Sequence, residues 1–236
     1  MAKTSIMRRL AKWHIWLGWL VGVPIVMWTA TGLFMVAKPI EEVRGEHLRI
    51  ESKDAALPPG NPAPIAFQLT GTPPVRSFET RMESGRAITR VTYMDGRIER
   101  FDAVSGDALD PLGEAEAREL VASQIVGGDM VASVTAFDAE NVPFDFRRPL
   151  PVWQVALEDG THVYVGRDTG RIEAVRTRWW RWFDFMWGLH IMDLSEREDT
   201  SHPILIAFAA LSLTGAIFGC ILMFRRRKAR AKTVSA

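Results

Sequence analysis

The chain has 236 residues, 47% of them hydrophobic and 24% charged, and its formal net charge is +1. That total says little by itself, because charge is segregated along the chain, and nothing in it calls for a nucleic-acid partner. Cys220 is the single cysteine, so an internal disulfide is excluded, and without a CxxC or CxxCH motif so are zinc ribbons, thioredoxin chemistry and covalent c-type haem.

Residues 1–12 form a basic tail carrying Lys3, Arg8, Arg9 and Lys12. Residues 13–36 then run without a charge, which predicts a first transmembrane helix over 13–37. At 1.5 Å per residue the stretch reaches about 36 Å, enough to cross a hydrocarbon core of about 30 Å. Pro24 is expected to kink it. The apolar region is too long for a cleaved signal peptide, and no small-x-small site follows before Lys38. Residues 38–75 contain Pro58, Pro59, Pro62, Pro64, Pro73 and Pro74, a density that reads as a tether.

Residues 76–177 read as one small domain with an internal repeat. Val91-Thr92-Tyr93-Met94-Asp95-Gly96 matches Val155-Ala156-Leu157-Glu158-Asp159-Gly160, and Gly106 and Gly170 follow ten residues later in each copy. Asp-Gly between alternating runs signals a hairpin, so each copy predicts strand, tight turn, strand, turn, strand. An amphipathic helix is expected between the copies, over residues 113–121. The domain is thus expected to be antiparallel sheet with a packed helix. His162 lies in a strand with no Ser, Cys or acidic partner identifiable by spacing, and reads as a packed or surface residue.

Residues 178–200 include Trp179, Trp180, Trp182, Phe183, Phe185, Met186 and Trp187 among Arg178, Arg181 and Asp184. Tryptophan favours the membrane interface, so this segment reads as an interfacial helix and loop. Residues 201–224 form the second transmembrane helix, with Pro203 suited to its first turn. The basic tail 225–236 follows. Basic flanks stay cytoplasmic, which predicts both termini inside and the central domain outside, as a multi-pass protein embedded in lipid bilayer. The expected fold class is an α+β membrane protein with two transmembrane helices.

Val152-Trp153-Gln154-Val155, Asp159-Gly160, Val163-Tyr164-Val165 and Asp168-Thr169-Gly170-Arg171-Ile172 resemble a PepSY domain. Trp13-His14, Trp16-Leu17-Gly18-Trp19, Leu189-His190-Ile191-Met192-Asp193 and Ser201-His202-Pro203 resemble the membrane region of the PepSY-associated transmembrane proteins. The resemblance implies a bacterial inner-membrane protein with a periplasmic domain. It also implies relatives that reduce ferric siderophores, in which transmembrane histidines hold haem.

His14, His190 and His202 are the candidate cofactor ligands, since ionisable groups in a membrane region invite a functional reading and imidazole is a usual axial ligand of b-type haem. Gly18 and Gly22 share a helical face with His14, and Gly215 and Gly219 mirror that spacing in the second span. Such pairs allow close approach of a helix or a flat ligand. Packing and headgroup contacts are the competing account of the same residues. The span separates His14 from the other two by about 20–30 Å. Only His190 and His202 could then hold one haem iron within one chain, and His14 would need a partner from a homodimer or another membrane protein. No catalytic side chain is expected. The two readings are a haem-dependent electron-transfer protein of iron uptake and a membrane-anchored interaction or peptidase-modulating protein.

Overall fold

The uncharged stretches form the two longest helices of the chain, α1 (Ala2–Met35) and α5 (Pro203–Val234), in a computed structural model that describes residues 2–50, 55–58 and 73–234. Two segments of these are long and apolar enough to cross a membrane, Ile6–Met35 and Pro203–Phe224. Only 17% and 6% of their most apolar windows are buried within the protein. A core helix of a water-soluble protein buries most of such a surface, so these helices need a non-aqueous solvent around them. α1 runs unbroken through Pro24.

α1 and α5 pack on each other as an antiparallel pair. The less exposed positions of α1 include Leu10, His14, Leu17, Val21, Pro24 and Thr31, and those of α5 include Leu205, Phe208, Ser212, Gly215, Gly219 and Leu222. The α5 run, and the α1 run as far as Pro24, alternate steps of three and four, the seam spacing of paired helices, and Thr31 follows Pro24 by seven. The rest of each surface is apolar and exposed, Trp19, Leu20, Val23, Ile206 and Leu213 among it. The same structural unit takes in the chain from Trp182 onward.

Residues Ile40–Arg181 form the other unit. It holds α2 (Ile40–Val43), a 3-10 turn (Glu46–Leu48), β1 (Val75–Glu83), β2 (Arg86–Tyr93), β3 (Ile98–Asp102) and β4 (Ala108–Leu109). Then come α3 (Glu114–Gln124), β5 (Val131–Phe137), β6 (Val152–Leu157), β7 (His162–Gly166) and β8 (Ile172–Arg176). The strands make two antiparallel four-stranded meanders, β1-β2-β3-β4 and β5-β6-β7-β8. The repeat maps β2, β3 and β4 onto β6, β7 and β8, and a register shift sits near the start of both β1–β2 and β5–β6.

The Asp-Gly turns are as alike as the strands. Gly96 has φ +91° and Gly160 φ +81°. Asp95 Oδ1 accepts from the Arg97 backbone N–H, and Asp159 Oδ1 accepts from that of Thr161. Only the glycine has positive φ, so each is a three-residue loop closed by a glycine bulge, and the tighter two-residue Asp-Gly turn is not formed.

The second sheet is covered on both faces. α3 lays Ala117 and Val121 over Val155, Leu157, Val163, Val165 and Val175, while Phe146 and Leu150 cover Val152, Tyr164 and Ala174 on the other side. Neighbouring residues of one strand point to opposite faces, so β7 reads as a continuous apolar run. Arg90 reaches from the first sheet to the β7–β8 turn, donating from Nε to Thr169 O at 2.8 Å. Its charge is met by Glu83 at 2.7 Å.

Three expectations change. Each repeat has four strands where three were predicted, because β1 is rich in charge and has no buried residue and β5 is built largely of small residues. The α+β domain therefore contains two sheets. Residues 40–50, assigned from sequence to the tether, are docked on the domain: Val43 is buried, and Ile50 N–H and Val126 N–H bond to Gln124 O and Leu48 O. The proline-rich residues 59–72 lie outside the described residues.

Candidate functional site

His14 sits in the seam between the spanning helices. Its Nδ1 is 3.0 Å from Gly215 O on α5. A Cβ at Gly219 would stand 2.9 Å from His14 Cε1, and one at Gly215 would stand 3.7 Å from Leu17 Cβ. The second glycine pair is thus the seat of His14 and Leu17. The first pair makes no such close approach: nothing lies within 4 Å of a Cβ placed at Gly18 or Gly22.

His190 is the last residue of α4 (Arg178–His190). Its ring stacks on Trp28 with centroids 4.6 Å apart and planes inclined by 20°. Its Nδ1 is 3.0 Å from Thr31 Oγ1, and its Cε1 would lie 3.2 Å from a Cβ at Gly32. Trp28, Thr31 and Gly32 are spaced by three and four on α1, so one helical face receives the ring.

His202 precedes α5, and its Nδ1 is buried with no hydrogen-bond partner. The register that sets His14 and Leu17 against Gly219 and Gly215 sets His202 level with Thr31. His190 and His202 therefore belong to the same end of the helix pair. Thr31 is seventeen residues beyond His14, about 25 Å along α1, so His14 is at the other end.

A loop holds α4 in shape beyond the histidine. Asp184, buried, takes a 2.6 Å ion pair from Arg197 Nη1, and Trp187 Nε1 donates to Arg197 O at 3.0 Å. Asp193 lies at the centre of the turn. Its carboxylate accepts from Ser195 Oγ and from the backbone N–H groups of Ser195, Glu196, Glu198 and Asp199. The Ser195 bonds, against a smaller opposing effect of burial, and the N–H groups beyond hold this carboxyl well below the usual carboxylate range. On α4 itself Asp184 and Gly188 are buried while Trp182 and Phe185 are exposed.

The other unit holds a polar cluster that spacing did not reveal. His162 Nδ1 is 3.2 Å from Asp145 Oδ2, Tyr164 O–H donates to Asp145 Oδ1 at 2.5 Å, and Gln154 Nε2 donates to Tyr164 Oη at 2.6 Å. Burial pushes the Asp145 carboxyl up, but the His162 and Tyr164 hydrogen bonds and the His162 charge outweigh it and hold it below the ordinary aspartate value. Burial and the same bond push the Tyr164 hydroxyl far up. His162 thus has an acidic partner, supplied from seventeen residues upstream. A separate cleft of about 680 Å³ includes Arg49, Arg86, Arg171, Glu83, Glu119 and Gln124 in its lining, charges of both signs.

Sequence reasoning missed Trp28, Thr31, Gly32, Asp184, Asp193 and Arg197. The available signal is a threonine in an apolar span. Among the described residues, no group of three or more His, Cys, Asp or Glu side chains is gathered as a metal cluster. Haem asks less, one or two imidazoles with a free nitrogen and apolar surroundings.

Two apolar spanning helices with an α+β domain inserted between them, and histidines at both ends of the helix pair, define a membrane-anchored protein of one inserted domain. The chain belongs to the PepSY-associated TM region family, whose model matches residues 11–236. No curated protein matches it. No solved structure matches it.

Proposed function

We propose that the protein is a b-type haem protein of the bacterial inner membrane, in which His190 and His202 would hold the haem iron. The observation that carries this reading is the pair of imidazole nitrogens at one end of the helix pair. His202 Nδ1 is buried and unpartnered, and His190 Nδ1 is bonded to Thr31, which leaves Nε2 for a ligand. A buried polar atom without a partner is costly, and coordination would relieve it. The residues fit the group in chemistry as well as in level. Trp28 supplies an aromatic wall, and the exposed apolar helices supply a medium of low polarity.

When bound, the haem supplies one-electron exchange, the chemistry needed to reduce a ferric siderophore in iron uptake. His190 and His202 would bind the iron, and Trp28 and Thr31 would fix the plane and rotation of the His190 ring. His14 stands outside this pair by distance; its ring packs on Gly215 and Gly219, and a second copy of the chain or another membrane protein would have to supply any further ligand. The basic flanks orient both termini to the cytoplasm and the Ile40–Arg181 unit to the periplasm. α4 lies at the outer interface, with Trp182 and Phe185 toward lipid.

A second reading has one observation in its favour. In the domain the polar groups around His162 satisfy one another, which suits a non-catalytic interaction or peptidase-modulating module. Reduced-minus-oxidised spectra of the purified protein after haem supplementation separate the two. The haem signal is expected in wild type and in His14→Ala, and is expected to be lost in His190→Ala and His202→Ala. A wild type without a Soret band would leave the second reading in place.

A further inference from the structure

We propose that Thr31 is a positioning residue. It holds His190 in the tautomer with the proton on Nδ1, so that Nε2 carries the lone pair. The inference deepens the haem reading, and takes from it only the identity of the group that Nε2 would bind.

The hydrogen-bond inventory around Thr31 fixes the direction of the contact. Thr31 is 3% exposed. Its Oγ1 lies 3.0 Å from Met27 O and 3.0 Å from Trp28 O, both of which can only accept. A hydroxyl has one hydrogen, and here it goes to those carbonyls. Were it turned to the imidazole, two carbonyl oxygens would face Oγ1 with no hydrogen between. Oγ1 therefore meets His190 Nδ1, 3.0 Å away, with a lone pair, and Nδ1 must be the donor. The proton on Nδ1 leaves Nε2 unprotonated, the state a metal ligand requires.

The stack on Trp28 sets the plane of the ring, and the hydrogen bond sets its rotation within that plane. Gly32 allows the ring to lie against α1. Residues 28, 31 and 32 thus act as one cradle. His14 provides an internal control. Its Nδ1 faces Gly215 O, a carbonyl that also can only accept. It is assigned the same tautomer, but by a backbone group that no side-chain substitution at position 31 removes.

The test uses the full-length protein without added haem, labelled with ¹⁵N-histidine in lipid nanodiscs, with the His190 signal identified by its loss in His190→Ala. The wild type is expected to show protonated Nδ1 and unprotonated Nε2 at His190. Thr31→Val is expected to lose that signature at His190 while His14 keeps it, which also reports that the helix pair is intact. Thr31→Ser is expected to restore it. After haem supplementation, Thr31→Val is expected to retain haem about ten- to a hundred-fold more weakly than Thr31→Ser, the usual consequence of losing an outer partner of a metal-binding histidine. A wild-type His190 protonated on Nε2, or a signature unchanged in Thr31→Val, overturns the proposal. A wild type that takes up no haem but shows the tautomer change sinks the haem reading and supports the positioning role.

Discussion

At the scale of single residues, the spanning helices are specified by a few contacts between polar and small groups in an apolar setting. Glycine at 219 makes room for His14, whose Cε1 would stand 2.9 Å from a Cβ there, and position 215 leaves the carbonyl accessible to Nδ1. Gly219→Val is expected to displace the imidazole, remove its bond to Gly215 O and destabilise the helix pair by about 1–3 kcal/mol. Thermal unfolding in detergent measures this, and an unchanged midpoint would show that the ring has room elsewhere. The glycine spacing was legible as a close-approach signal. That its guest is an imidazole was not, because the partner lies about two hundred residues away in sequence. Likewise Asp193 was visible only as part of a motif, while its role of gathering the N–H groups of Ser195, Glu196, Glu198 and Asp199 depends on how the loop turns back.

At the scale of elements, the repeat was the most readable part of the chain. Alternation and the Asp-Gly turns gave β2, β3, β6 and β7 within a few residues, since strand period and turn chemistry are local. β1 and β5 escaped because β1 is rich in charge and β5 in small residues, so neither reads as an alternating apolar strand. The His162–Asp145 contact escaped because Asp145 reaches the strand histidine from a loop seventeen residues upstream, and it carries a pH prediction. The Asp145 carboxyl is held below its unfolded value, about 3.9 for aspartate. The ionised form therefore favours the folded state above that pH, and the contribution disappears as pH falls through the lower folded value. The thermal midpoint of the full-length protein is expected to drop on acidification below about pH 4. Asp145→Asn should flatten part of that drop; an identical acid limb in the variant would assign the loss to other carboxylates.

At the scale of the whole molecule, two helices are long and apolar enough to cross a membrane, and their basic outer flanks carry the proposed orientation. The expected arrangement has Val104, an exposed residue of the domain, on the outside and Thr4 on the inside. In a Cys220→Ser background, a membrane-impermeant thiol reagent applied to intact spheroplasts is expected to label Val104→Cys and spare Thr4→Cys until the membrane is opened. Labelling of Thr4→Cys in sealed cells would reverse the orientation.

The sequence alone determined the two spans, the α+β class and the repeat, because hydropathy, charge flanks and strand alternation are properties of contiguous residues. Tertiary structure alone decided that His190 rests on Trp28 and Thr31, that His202 is level with them, and that His14 is seated on glycines at the other end. Those facts depend on the register of α1 against α5. That register is set by side chains meeting across the seam and by no pattern within either helix.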